Sequence, residues 1–279
     1  MATTTDLFEY TPSVSAAVIF AILFGIALFT HTYQLFRTCT WFMFAFLVGG
    51  LFEFAGYIAR VFSAKQSPNF TIGPFIIQHL VLLVAPALFA ASIYMELGRI
   101  IILVHGEKKS IISQRWLTKI FVGGDVLTFL MQVVGAGNMA GHSAEAINRG
   151  QTIILIGLVA QIVIFAFFVL TASTFHLRLR RAPTQKLLTD SIPWEKHMWA
   201  LYGCSMLILI RCVFRLIEYA QGRTGFFMSK EVFMYLFDSV LMLGVMVFLA
   251  IVHPSEINAL IKGGESKAIK KVVFVYNMV

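Results

Sequence analysis

Seven stretches of mostly apolar residues, each long enough to cross about 30 Å of hydrocarbon as a helix, divide this chain and dictate its solvent. They run from Ser13 to Phe36, Thr40 to Phe62, Phe75 to Val104, Trp116 to Met139, Gln151 to His176, His197 to Tyr219 and Glu231 to Val252. The breaks between them are short and carry Pro, Gly and charge, so no soluble domain or internal repeat fits. A chain with 58% hydrophobic and only 13% charged residues, and a mean hydropathy of +0.82, cannot hide that much apolar surface in a water-soluble core. The expected fold is all-α: a polytopic seven-helix bundle formed by residues 13–254, preceded by an outer segment (1–12) and followed by a basic tail (255–279).

The net charge of +8 is a statement about topology before it is one about partners. Alternate loops collect thirteen basic residues: Arg37, Lys108, Lys109, Arg115, Arg178, Arg180, Arg181, Lys186, Lys196, Lys262, Lys267, Lys270 and Lys271. The remaining loops hold four, Lys65, Arg149, Arg223 and Lys230. Because basic loops stay in the cytosol, the N-terminus is expected outside and the C-terminus inside. All four tryptophans, Trp41, Trp116, Trp194 and Trp199, fall at the same helix ends, where indoles favour the interface. Asn69-Phe70-Thr71 is a glycosylation candidate in an expected outer loop. The basic loops suit anionic lipid headgroups, and no nucleic-acid partner is expected. Cys39, Cys204 and Cys212 offer no extracellular disulfide pair. The first apolar run is about twice the length of a signal-peptide core and lacks a basic flank, so it is expected to remain as the first helix.

Nine ionisable residues lie well within the spans: Glu53, Glu96, Asp125, Glu218, Asp238, Arg60, Arg99, Arg211 and Arg215. Each costs about 3 kcal/mol at a helix centre exposed to lipid, so they must face one another or water. Residues seven apart on a helix point within about 20° of each other. Glu53 and Arg60, Asp125 and Gln132, Arg211 and Glu218, and Glu231 and Asp238 are all so spaced, and Gln78, Ala85, Ser92 and Arg99 follow one drifting stripe. Glu53, Arg60, Gln78, Gln132, Arg211, Arg215, Glu218 and Asp238 fall in the outer half of the bilayer, Asp125 near its middle, and the Glu96/Arg99 pair near the cytosolic side. The pattern implies an outward-facing cavity lined by both charge signs. Buried ion pairs that only fix helix register would produce the same spacing. Pro86 should free a backbone carbonyl and kink the third helix, and the paired glycines allow close helix approach.

Several chemistries are disfavoured. The seventh span has no central lysine to hold retinal. His31, His105, His176 and His253 all lie near cytosolic helix ends, where an intramembrane metal hydrolase would keep its ligands, but form no short-spaced pair, so that alternative is disfavoured and no metal and no cofactor is expected. No phosphate-cradling glycine loop or Ser/His/Asp signature appears, leaving a non-ATP-driven process and no enzyme activity. Glu96-Leu97-Gly98-Arg99 sits where rhodopsin-like receptors keep an acidic and arginine pair, so a receptor-like sensor remains an alternative.

One ordered set of short motifs is more specific. It comprises Glu53-Phe54-Ala55-Gly56-Tyr57-Ile58-Ala59-Arg60, Gln78, Ala85-Pro86, Ala90-Ala91-Ser92-Ile93-Tyr94 and Gly98-Arg99-Ile100-Ile101. It continues through Phe121, Asp125, Gln132, Gly135-Ala136-Gly137, Gly157-Leu158, Gln161, Arg211 to Glu218, Glu231, Asp238 and His253-Pro254. With these the chain resembles the RTA-like seven-helix membrane proteins of fungi, often called lipid-translocating exporters. The resemblance implies a plasma-membrane protein that handles sphingoid long-chain bases, sterol-like toxins or porphyrins. It also implies membrane lipids and an amphipathic small molecule as partners, with a regulator of lipid asymmetry as an alternative. Tyr57 joins the cavity residues through its place in the first motif.

Overall fold

The computed structural model describes residues 12–66, 71–139, 143–189, 192–222, 225–227 and 230–262. Within them lie seven helical spans long and apolar enough to cross a membrane, and no strand. The first five are α1 (Val14–Thr38), α2 (Phe44–Lys65), α3 (Ile72–Leu103), α4 (Gln114–Met139) and α5 (Ala144–Arg181). A short α6 (Gln185–Thr189) precedes the sixth span, α7 (Trp194–Gln221). The seventh span is built from α8 (Glu231–Met234), a π-helical turn (Tyr235–Ser239) and α9 (Val240–Ile251), and is followed by α10 (Ser255–Ile261).

Local sequence explains where these elements begin and end. Ser13 caps α1 by accepting a bond from the Ala16 N–H, and Ser143 caps α5 the same way through Ala146. α1 stops at Cys39, whose left-handed backbone (φ 53°) returns its N–H to the Leu35 carbonyl. α5 has 38 residues, about 57 Å at 1.5 Å per residue, and so extends well beyond the hydrocarbon and beyond the expected limits at Gln151 and His176. Arg178, Arg180 and Arg181 occupy its last turn, where cations complement the helix dipole.

Sequence neighbours are spatial neighbours: α1 packs on α2, α2 on α3, α3 on α4, α4 on α5, α5 on α7 and α7 on α9, which returns to α1. α3 runs through the middle and also touches α7 and α10. Two contacts depend on missing side chains. A Cβ at Gly56 would lie 2.6 Å from Leu82 Cδ2, and one at Gly135 would lie 2.7 Å from the Gly150 carbonyl oxygen. Tyr94, Phe121, Phe165 and Phe168 fill the space between α3, α4 and α5, with Tyr94 and Phe168 centroids 4.5 Å apart. Ile19, Ile22, Ile26 and Phe29 on α1, and Leu127, Leu130 and Val134 on α4, point outward as a lipid-facing surface requires.

After the turn at Val252–Pro254, α10 folds back against α3, burying Ile257, Asn258 and Ala259, so the bundle continues past the seventh span. Residues 1–11 and 263–279, which hold most of the expected outer segment and basic tail, and the sequon at Asn69 lie outside the described residues.

Candidate functional site

Arg215 follows Arg211 by four positions, which places both guanidiniums on one face of α7. They converge on Asp238. Arg211 Nε donates to Asp238 Oδ1, and Arg215 Nη2 donates to Asp238 Oδ2. Arg215 Nη1 also donates to Glu218 Oε2 at 3.1 Å. The second Arg211 contact explains a feature of another helix: its Nη2 donates to the Leu82 carbonyl at 2.8 Å. Leu82 is four residues before Pro86, which has no N–H to return, so its carbonyl is the one orphaned by the proline. α3 remains helical through that point, and the arginine supplies the missing donor.

Glu53 on α2 is buried and lies within electrostatic reach of Asp238, Arg211 and Arg215. Its Oε1 has no hydrogen-bond partner among the described residues, and neither amide atom of the fully buried Gln78 has one. Buried polar atoms are normally satisfied, so these two side chains, together with Arg215 Nε, mark where the network is incomplete among the described residues.

A second set ties α2 to the seventh span. Arg60 Nε donates to Tyr235 Oη at 2.9 Å and Nη2 to Glu231 Oε1 at 2.7 Å. The Glu231 carboxylate also receives the Ser13 N–H at 3.0 and 2.9 Å, so the entry of α1 joins the cluster. The Tyr57 and Ser239 hydroxyls are hydrogen-bonded to each other. The π-helical turn changes the register between Glu231 and Asp238, and each reaches a different arginine. The sevenfold spacing therefore locates inward faces correctly, but Glu53/Arg60, Arg211/Glu218 and Glu231/Asp238 do not bond along their own helices. Their ion pairs run chiefly between helices.

Asp125 and Gln132 are held elsewhere. Tyr94 donates to Asp125 Oδ2 at 2.9 Å, while Oδ1 has no hydrogen-bond partner among the described residues. Gln132 Nε2 donates to Gln161 Oε1 at 2.9 Å across the α4–α5 contact. Glu53, Tyr57, Arg60, Gln78, Asp125, Gln132, Arg211, Glu218 and Asp238 are all buried, with Arg215 partly so.

At the basic end, Glu96 and Arg99 do not pair. Arg99 Nη1 donates to Asn258 Oδ1 at 2.9 Å and its guanidinium stacks over Phe42. Glu96 instead faces His197 Nδ1 at 3.6 Å, and His197 Nε2 lies 3.1 Å from Glu256 Oε2. His31 bonds the Met246 carbonyl, His253 accepts the Ser255 N–H, and His176 contacts Tyr202. No group of three or more His, Cys, Asp or Glu with metal-holding geometry occurs among the described residues. Sequence reasoning missed Tyr235, Ser239, His197, Glu256 and Asn258. Pro254 and Ser255 just ahead of Glu256 were a helix-start signal that would have directed attention to Glu256.

A family model described as RTA1 like protein matches residues 46–260, which include every residue of the Asp238 network and all but Ile261 of α10. The protoporphyrin uptake protein 1 of Saccharomyces cerevisiae is 34% identical over 86% of this chain and 89% of its own. A probable lipid transporter, atnI, of Emericella nidulans is 29% identical over 90% of this chain and 68% of its own. The sphingoid long-chain base transporter RSB1 of Saccharomyces cerevisiae is 24% identical over 87% of this chain and 72% of its own. No solved structure matches the chain significantly.

Proposed function

Because the chain belongs to the RTA1-like family, we propose that it moves an amphipathic, cationic lipid of the sphingoid-base type across a membrane without nucleotide hydrolysis. The observation that carries this reading is a charge imbalance. Three carboxylates, Glu53, Glu218 and Asp238, face two guanidiniums, Arg211 and Arg215, inside the bundle. Arg60 and Glu231 neutralise each other beside them. One ammonium group matches the excess carboxylate, and Glu53 with its unpartnered oxygen is the group positioned to take it, helped by the unpartnered Gln78 amide. A dicarboxylic porphyrin would find the opposite of what it needs at this position, so the amine is favoured over it.

In this reading the ammonium exchanges its water for Glu53, while its hydrocarbon chain stays among apolar side chains or lipid. Arg211 and Arg215 hold Asp238 and prevent it from competing for the cation. The basic end is assigned to the cytosol by the charge of its loops, the Ser13 end to the outside, and the plasma membrane is the proposed location. The closed arrangement of charges is then an occluded state that must loosen between helices for substrate to enter or leave. A transporter of this kind needs no catalytic residue and no cofactor.

Purified protein in liposomes tests the proposal with a labelled sphingoid base. Flux should exceed that of empty vesicles and fall at least tenfold in Glu53→Gln, whose fold should persist because the replaced Oε1 makes no hydrogen bond. Flux equal to that of protein-free vesicles would end the proposal.

A further inference from the structure

The Glu96–His197–Glu256 constellation lies at the opposite end of the bundle from Arg60, Glu231 and Ser13, and the transport reading above does not use it. Its three members come from α3, α7 and α10. Glu96 is fully buried about two turns inside the end of α3, and neither of its oxygens has a hydrogen-bond partner among the described residues. Its neighbour is His197 Nδ1 at 3.6 Å, an ion-pair distance rather than a hydrogen bond. His197 is itself buried, one turn into α7, and its Nε2 reaches Glu256 Oε2 at 3.1 Å. Glu256 retains 24% of its side-chain exposure and also meets Lys196 Nζ at 3.2 Å. The three thus form a line from the partly exposed edge to a buried acid.

The surrounding groups single out this histidine. From α1, His31 is committed through Nε2 to the Met246 carbonyl. Between α9 and α10, His253 lies within electrostatic reach of both His31 and His197, and its Nδ1 is occupied as the acceptor of the Ser255 N–H. From α3, Arg99 is turned away onto Asn258 and Phe42. From α7, Lys196 joins Glu256, and Cys204 is directed at the Val245 carbonyl. Of these rings only His197 has a carboxylate at each nitrogen, the arrangement that lets imidazole carry a proton at both. A buried carboxylate in a membrane span with no hydrogen bond is costly as an anion and is relieved by taking up a proton.

We propose that Glu96, His197 and Glu256 form a proton-exchange site that admits one proton to the bundle interior from the basic end and couples it to substrate movement. Glu256, protonated from water, gives its proton to His197 Nε2. The imidazolium then passes its Nδ1 proton to Glu96, leaving neutral imidazole protonated at Nε2, the Glu256 carboxylate and a neutral Glu96 acid. One proton has entered and one buried negative charge has disappeared; release is the reverse sequence. The exchange itself rests only on this geometry, whereas the coupling rests on the transport reading.

Two measurements on the full chain separate these parts. In difference infrared spectra of purified protein between alkaline and acid pH, a protonated-carboxyl band should grow in the wild type. One component of it should be lost in Glu96→Gln, and the pH midpoint of that component should move in His197→Gln. An identical spectrum in Glu96→Gln overturns the site. Glu256→Gln, at a partly exposed position where folding is least at risk, should slow proton exchange without removing the band, and an unchanged exchange rate counts against the relay. In liposomes, a gradient of one pH unit should shift the steady-state distribution of labelled sphingoid base by up to about tenfold if one proton moves per substrate, and Glu96→Gln should abolish that response. Wild-type flux that ignores the gradient overturns the coupling. Absence of flux in every condition defeats the transport reading instead, and the infrared result still decides the site.

Discussion

Asp238 accepts from two arginines that approach from the same helix, so its removal exposes a property of buried charge. Asp238→Asn leaves Arg211 and Arg215 with only Glu218 and Glu53 to compensate them, and should destabilise the protein by about 3–5 kcal/mol, the usual cost of breaking a buried pair. Thermal unfolding in detergent measures this. Arg211→Lys should also be damaging, because a single ammonium cannot serve both Asp238 and the Leu82 carbonyl as the forked guanidinium does. Glu53→Gln sits at the other extreme: its carboxylate is near the same network, yet one oxygen has no hydrogen bond to lose. Its stability change should stay within about 1 kcal/mol while flux collapses, and that split distinguishes a ligand-facing group from a structural one. Stability and flux lost together in Glu53→Gln would place it among the structural residues.

At the scale of the element, α3 and α7 are joined by a proline. Pro86→Ala would restore an N–H to the Leu82 carbonyl, so Arg211 would have to share or surrender its acceptor. Alanine is worth up to about 3 kcal/mol over proline in a helix interior, whereas a lost bond to a charged donor costs about 1.5–3 kcal/mol. The net change in stability should therefore be small although both helices are altered. A cycle of Pro86→Ala with Arg211→Lys should reveal non-additivity of at least about 0.5 kcal/mol, since the two residues share one carbonyl. α10 presents a different case, a seven-residue helix too short to persist alone. Asn258 on α3's Arg99, and Glu256 on α7's Lys196 and His197, hold it in place. Asn258→Ala should speed amide exchange across Ser255–Ile261 while leaving exchange in α1 unchanged, as measured by hydrogen–deuterium exchange.

For the whole molecule, the distribution of charge makes a prediction about sidedness that an existing side chain can test. Cys39 is exposed in the turn between α1 and α2 at the basic end, whereas Cys204 and Cys212 are buried. A membrane-impermeant thiol reagent should label the chain in inside-out vesicles and not in intact cells, and Cys39→Ser should remove the label. Labelling of intact cells at Cys39 would invert the topology. The same architecture is sensitive where backbones touch: Gly135→Leu would drive a side chain into Gly150 and Ile154 and should separate α4 from α5, seen as reduced yield of folded protein.

Span number and type, the basic asymmetry between ends and the inward face of each polar seam were legible in the order of residues, because hydropathy and helical spacing act within a single helix. The choice of partner was not. Glu53 and Arg60 share a seam, but Arg60 binds Glu231 and Tyr235; Glu96 and Arg99 are neighbours, but each turns to a different helix. The π-helical turn adds a register change that spacing alone cannot announce, and α10 returns to α3 after a proline that marks only the end of a span. Such pairings depend on distances between elements far apart in the chain. In a hydrocarbon solvent every buried charge must find its counter-charge across those distances, so tertiary packing decided which carboxylates were satisfied and which, Glu53, Glu96 and Asp125, were left with oxygens to spare among the described residues.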